Sequence, residues 1–351
     1  MLKINIIGAG QEGKKATFGG IELAPKRLMK TLRKKGVEVD YNGKRPLEEY
    51  DLVDIHFGFN PRLLSKAMKK TKAVVHVHSV PQDMVGGIFG YSLIDPFMRR
   101  YLRYYYNKAP FLIPVSEFAK KCVREIGVTT PATAVSNGIP MDQFKVPTNE
   151  DRQSAKERFT VRYGLDPEKP LIGGIGSLFP RKGVRDFKEI AIQRPDYQFI
   201  WVGKSQPIYP RFFFNRYLGK VPENMKLIGF VEDIEEFFFG IDILLVTTHM
   251  ETQGLPPLEA AATKTPLVVR DIEVFDWLVN DVNCYRAGDI LGFVTSLDYL
   301  LTNEKERTRL VEQAFKDVQQ HDIDRTTDIH IGIYEKIIND GYPEDGWMPK
   351  I

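Results

Sequence analysis

The chain has 351 residues, enough for two domains of ordinary size, and its 43% hydrophobic and 27% charged residues are the composition of a folded protein. No run approaches the ~18 to 20 apolar residues of a membrane span, the first residues lack the regions of a signal peptide, and Cys122 and Cys284 stand outside any C-x-x-C; neither a disulfide framework nor a thiolate zinc site is expected, and the expected location is the cytoplasm. The net charge of +3 is uneven: residues 1–150 hold 24 Lys and Arg against 14 Asp and Glu, the remainder 25 against 32, so the first half suits an anionic surface or is simply a solvated face.

The first strand-like run is KINIIG, and with the residues after it Gly8, Gly10 and Gly13 satisfy G-x-G-x-x-G. Asp40 ends the next run, VEVD, where a ribose-binding acid would sit, so this stretch alone reads as a nicotinamide-binding fold. In that fold the helix begins at the glycines themselves. Here the first good helical pattern follows Gly19 and Gly20, with Ile21, Ala24, Leu28 and Leu32 on one face and Pro25 tolerable only in an opening turn. A long glycine-rich loop that delivers Gly19 and Gly20 to a helix N-terminus is the better reading.

The runs LVDIHFG, AVVHVHS and FLIPVS complete a first set of strands. His76 and His78 lie two apart on one of them, hence on one face, as a zinc pair would, but no third ligand announces itself; the expected reading is a buried structural role for His76, with His78, nearer the strand's C-terminal end, emerging at a cleft. Asp83 follows in the same loop, either touching an acceptor or capping. Two stretches combine basic residues at helical spacing: Lys26, Lys30, Arg33 and Lys34, then Arg99, Arg100 and Arg103 beside Phe97, Tyr101, Leu102 and Tyr105. They suit an anionic membrane, or are the outer faces of packed helices; no nucleic-acid motif accompanies them.

The polar, proline-bounded segment Val146 to Pro170 is the expected hinge, near its end, giving domains 1–165 and 166–325 and a closing helix within 326–351 that joins the first domain. The second domain repeats the alternation with LIGGIG, YQFIWVG, MKLIGFV, IDILLVTT and PLVVRD. Nearly continuous apolar runs alternating with helices predict two doubly wound parallel α/β domains. GSLFPRKGVRDF places Arg181 and Lys182 between a strand end and a helix, where a diphosphate binds, although RKG is also an ordinary surface turn. After IDILLVTT come Glu251 and Glu259, with Gly254 to turn and Pro256 and Pro257 to start the helix that carries Glu259; one acid precedes the helix and one lies within it.

These motifs in this order, Gly19-Gly20, SNGIPMDQF, GSLFPRKG, WVGK, IGFVED and the E-x7-E segment running into TPLVVRDI, resemble the retaining glycosyltransferases of family 4 over nearly the whole chain. VHVHSVPQD and RDIEVFDWLVNDVNCYRA further resemble bacterial transferases that act on diacylglycerol or its monoglycoside. The resemblance implies the GT-B architecture, two Rossmann-like domains facing across a cleft, and a metal-independent retaining transfer of glucose or galactose from a UDP-sugar to a lipid-linked acceptor, with the enzyme peripheral on the inner membrane face. It implies that Lys182, helped by Arg181, neutralises the diphosphate, Glu251 holds the donor sugar and Glu259 the ribose. Gly229, Phe230 and Val231 would serve the base, and Gly19 and Gly20 the phosphates. Ser177, Gly203, Lys204, Gln253, Gly254 and Leu255 would complete the donor site, with His78 near the reacting sugar. Ser177 stands where the family often has Arg, and Gln253 where it often has Phe. The rivals are a soluble or polysaccharide acceptor in the same family, a nicotinamide oxidoreductase, and a non-catalytic sugar-nucleotide sensor.

Overall fold

The computed structural model describes residues 1–14, 19–206, 209–231 and 233–350. They form two compact units, one of residues 1–85, 90–140 and 321–351, the other of residues 86–89 and 141–320. All ten expected runs form strands.

The first unit holds β1 (Lys3–Ile7), β2 (Glu38–Tyr41), β3 (Leu52–Ile55), β4 (Lys72–Val77) and β5 (Leu112–Pro114), paired in parallel in the order β2-β1-β3-β4-β5. Ile4, Ile6, Leu52 and Val74 are fully buried, as strands covered on both faces require. The helix Gly20–Lys34 starts at Gly19-Gly20 as expected, but Pro25 lies in its second turn rather than its first, so the Ile21 carbonyl loses its usual partner. The closing helix, Ile323–Asn339, packs Ile329, Ile333, Tyr334 and Ile337 into this core.

The second unit holds β6 (Leu171–Ile175), β7 (Gln198–Val202), β8 (Met225–Gly229), β9 (Ile243–Val246), β10 (Leu267–Arg270) and β11 (Tyr285–Ala287), again all parallel, in the order β11-β10-β9-β6-β7-β8. Phe187, Phe199, Trp201 and Phe293 centre its core. The units part at Pro140 and Met141, ahead of the segment in which the sequence places the hinge. That segment contains the helix Asn149–Tyr163, which buries Ala155, Phe159 and Thr160 and pairs Arg158 and Arg162 with Glu236. Its polar average hides one narrow apolar stripe that anchors it in the second unit. Cys122 and Cys284 are both buried, and neither forms a disulfide among the described residues.

Candidate functional site

In the second sheet the chain runs from β6 to β7 and β8 on one side and then returns to place β9 on the other. The loops leaving the C-terminal ends of β6 and β9 therefore diverge, and such a reversal is where open α/β sheets bind ligands. Both charged motifs of the second half sit on these two loops. Gly183 ends the first with φ of 72°, and a Cβ there would lie 1.9 Å from the Thr247 carbonyl oxygen, so only glycine lets the loops close on each other. Thr247 Oγ1 donates to the Gly183 carbonyl at 2.9 Å, the His249 amide donates to the Arg181 carbonyl at 2.8 Å, and the Arg181 guanidinium donates to the Met250 carbonyl at 2.7 Å.

This stitching brings the Lys182 ammonium into direct contact with the Glu251 carboxylate and leaves an Arg181 nitrogen 3.6 Å from its other oxygen. All three side chains are largely buried, Glu251 retaining 12% exposure. Burial pushes the Glu251 carboxyl up, but Lys182 and Arg181 outweigh it and hold the carboxyl below its usual range. Arg181 Nε is buried with no hydrogen-bond partner among the described residues. Glu251, Lys182, Thr248, Gly254, Trp201 and Phe275 line a small recess at this point.

Gly254, with φ of 81°, opens the helix Leu255–Ala262, which carries the two prolines in its first turn and buries Glu259. Gln253 is buried beside it. The ends of β6, β7 and β8 are laced by the Gly176 amide to the Val202 carbonyl, the Leu178 amide to the Lys204 carbonyl and the Gly203 amide to the Gly229 carbonyl, at 2.9, 3.1 and 2.7 Å. This sets Ser177, Gly203, Lys204 and Gly229 side by side; Phe230 is exposed under the Lys204 ammonium, and Val231 is buried. The sequence misses Asp186 and Arg270. Asp186, one turn after Lys182, contacts Arg270 and lies 3.1 Å from His249, tying the end of β10 to the Lys182 loop.

The first sheet reverses between β1 and β3. A Cβ on Gly8 would lie 2.1 Å from Tyr41 Oη, and one on Gly10 2.1 Å from Glu22 Oε1. Asp40 accepts from Tyr50 Oη at 2.6 Å and lies 3.3 Å from Arg45. The glycines thus make room for protein side chains and the acid is engaged, which removes the features that favoured a nicotinamide. Gly19, with φ of 73°, precedes its helix, while residues 15–18 of the same loop lie outside the described residues.

The first basic stripe is not free. Lys26 bonds Glu22 and the Lys14 carbonyl, Arg33 pairs with Glu12 and bonds the Val39 carbonyl, and Lys34 lies 3.4 Å from Asp324; Lys30, Arg33 and Lys34 are all exposed. The second differs. On the helix Tyr91–Lys108, Arg99 bonds Asp95, but Arg100 and Arg103 are exposed, and so are Leu93, Ile94, Phe97 and Tyr104 on one side; Leu93 is 85% and Phe97 75% exposed. Leu102 and Tyr105 are buried instead. The Asp83 carboxylate accepts from the Val80 amide at 3.1 Å and caps the short helix Pro81–Met84.

His76 and His78 do have a histidine neighbour. Ile55 pairs with Val75 across β3 and β4, so His56 stands beside His76, and ligand atoms of the three rings lie within 4.8 Å of one another. His56 Nε2 is 2.9 Å from Asp54 Oδ2, and His56 Nδ1 is 2.8 Å from His78 Nε2. Tyr334 donates to Asp54 Oδ2 at 2.6 Å, and His330 stacks on His76. Burial lowers His76 and His330 to about 4 and holds His78 well below its usual value, whereas burial raises the Asp54 carboxyl and His56 and His76 more than offset it. The available signal for this cluster is Asp54-x-His56 at strand period and His330 with Tyr334 at helical spacing.

Residues 155–317 match the family described as Glycosyl transferases group 1, and residues 43–143 match Glycosyltransferase Family 4. The chain is 30% identical over 297 residues to the processive diacylglycerol alpha-glucosyltransferase of Acholeplasma laidlawii, covering 84% of this chain and 87% of that one. It is 22% identical to the alpha-galactosylglucosyldiacylglycerol synthase of Streptococcus pneumoniae, over 82% of this chain and 76% of that one. Among solved structures, Anabaena Alr3699/HepE in complex with UDP-glucose matches with a TM-score of 0.72 at 17% identity, over 93% of this chain and 98% of that one.

Proposed function

Because this chain belongs to the group 1 and family 4 glycosyltransferases, with their GT-B pair of Rossmann-like units, we propose that it moves glucose or galactose from a UDP-sugar to a diacylglycerol or glycosyl-diacylglycerol acceptor, with retention and without a metal. The observation that carries the donor reading is the Arg181, Lys182 and Glu251 cluster at the sheet reversal. When the bond from the anomeric carbon to the diphosphate breaks, negative charge collects on UDP and the sugar becomes oxocarbenium-like. Lys182 and Arg181 meet the first. Glu251, released from Lys182 as phosphate takes its place, accepts hydrogen bonds from sugar hydroxyls. Glu259 takes the ribose and the Gly229 to Val231 segment the base. The acceptor hydroxyl attacks from the face the leaving group departs, and its proton passes to the departing phosphate, which accounts for retention.

The acceptor reading rests on the names of the relatives and on the helix Tyr91–Lys108, whose exposed Leu93, Ile94 and Phe97 beside Arg100 and Arg103 suit an anionic bilayer surface. Among the described residues no helix is long and apolar enough to cross a membrane. The attachment we propose is peripheral, at the cytoplasmic face. Transfer of labelled sugar from UDP-glucose and from UDP-galactose to diacylglycerol and to its monoglucoside, with chelator present, tests the whole reading. Product with one UDP-sugar and one lipid is expected. Thermal stabilisation by UDP-sugar without lipid transfer would refute the acceptor, and stabilisation by NADH alone would refute the donor.

A further inference from the structure

The buried cluster in the first unit has two chemical readings, a metal site or a proton-ordered network. Geometry decides between them. The His56 and His76 rings stack at 3.7 Å between centroids and 18° between planes, so their in-plane lone pairs run side by side instead of converging on one point. Both nitrogens of His56 are already engaged, one by Asp54 and one by His78, and a cation would have to break those contacts. The arrangement is a chain from Asp54 through His56 to His78, sealed by His76, His330 and Tyr334, which are the other titratable groups facing it.

We propose that Asp54 and His56 are positioning residues that lock His78 in one tautomer, with its proton on Nε2 facing inward and the Nδ1 lone pair left for substrate. A carboxylate only accepts, so His56 Nε2 carries the proton shared with Asp54 Oδ2 at 2.9 Å. With His56 taken as neutral, its Nδ1 offers a lone pair, and its neighbour 2.8 Å away, His78 Nε2, is the donor. Tyr334 donates to the same Asp54 oxygen and holds the carboxylate in place from the closing helix. His78 follows the C-terminal end of β4 and, though buried, retains 8% exposure against 5% for His56 and His76. Held this way it accepts a hydrogen bond from a sugar hydroxyl and donates none, and it stays uncharged near the oxocarbenium-like sugar. The inference rests on the reading of His78 as the residue beside the reacting sugar. It adds the two residues that fix which of its nitrogens is basic.

The test is nitrogen-15 NMR of the histidine rings in the full-length protein at pH 7, which separates protonated from bare nitrogens without any substitution. His78 protonated on Nε2 and bare at Nδ1 is expected; a proton on Nδ1, or a mixture of tautomers, overturns the proposal. In His56→Leu the His78 signals should become those of exchanging tautomers and kcat should fall about tenfold with little change in donor KM, the worth of one hydrogen bond. His56→Gln, whose carbonyl still accepts, should recover most of both. An unchanged His78 tautomer in His56→Leu overturns the relay. His78→Ala distinguishes the premise: wild-type turnover in that variant, with the wild-type tautomer as stated, overturns the placing of His78 at the sugar.

Discussion

Replacing Lys182 with Met keeps the length of the apolar stem and removes only the charge. The stem is largely buried, at 17% exposure, so the packing of the loop is retained and Glu251 keeps Arg181 as its cationic neighbour at 3.6 Å. An ammonium about 4 Å from a phosphate oxygen is worth about 4 kcal/mol at an effective dielectric of about 20. The donor diphosphate is charged before reaction, so only the charge arriving as the glycosidic bond breaks counts toward catalysis. With Arg181 sharing that charge, a loss of about 2.7 kcal/mol is reasonable for one removed donor, which is ~100-fold in kcat. The assay is initial-rate transfer from UDP-glucose and UDP-galactose to diacylglycerol, with kcat and KM separated and thermal midpoints as the folding control. Turnover within threefold of wild type at an unchanged midpoint would refute the assignment, because no other role for this lysine follows from its position.

Gly183→Ala combines a positive φ with a Cβ 1.9 Å from a backbone oxygen that cannot rotate away, so we expect about 3 kcal/mol of destabilisation and a calorimetric midpoint lower by ~6 °C or more; an unchanged midpoint would contradict the closed loop pair. Leu93→Asp with Phe97→Asp should leave UDP-sugar binding intact and reduce sedimentation with phosphatidylglycerol vesicles at least ~10-fold, since both side chains are exposed and support no core; equal sedimentation would remove this helix from the membrane contact. The Glu251 carboxyl titrates below its unfolded value of 4.5, so its pairing stabilises the fold fully above that pH and is lost as pH falls through the lower folded value. Glu251→Gln should therefore flatten the fall of the thermal midpoint below pH 4.5 relative to wild type, and parallel curves would show that the pairing contributes nothing.

The strands were legible because parallel strands covered on both faces appear as continuous apolar runs; β11 was not, being three residues long with Arg286 at its centre, bonded to the Phe275 and Leu278 carbonyls. The parting of the units at Pro140 and Met141 is less legible for a related reason: the helix Asn149–Tyr163 averages as polar, and the few residues that anchor it, Ala155 and Phe159, are too sparse to stand out. In the donor site Arg181, Lys182, Glu251 and Glu259 were legible because strand, loop and helix follow one another in sequence, and each motif sits just past a strand end. Asp54 and Tyr334 are 280 positions apart, and no local pattern joins them.

The two glycine-rich loops teach the sharper lesson, because spacing alone treats them as equals. Gly8 and Gly10 fit a dinucleotide fingerprint, yet the space left by their missing Cβ atoms is taken by Tyr41 and Glu22 of the same unit. Gly183 belongs to no such fingerprint, yet its missing Cβ lets two loops meet and sets Lys182 against Glu251. A glycine marks a close approach; the chemistry depends on what approaches. The sequence did contain the deciding clue. Beyond Gly8 and Gly10 the helix waits until Gly20, while Gly183 leads at once into Val184–Gln193, so only the second loop joins a strand end, a cationic pair and a helix start without interruption.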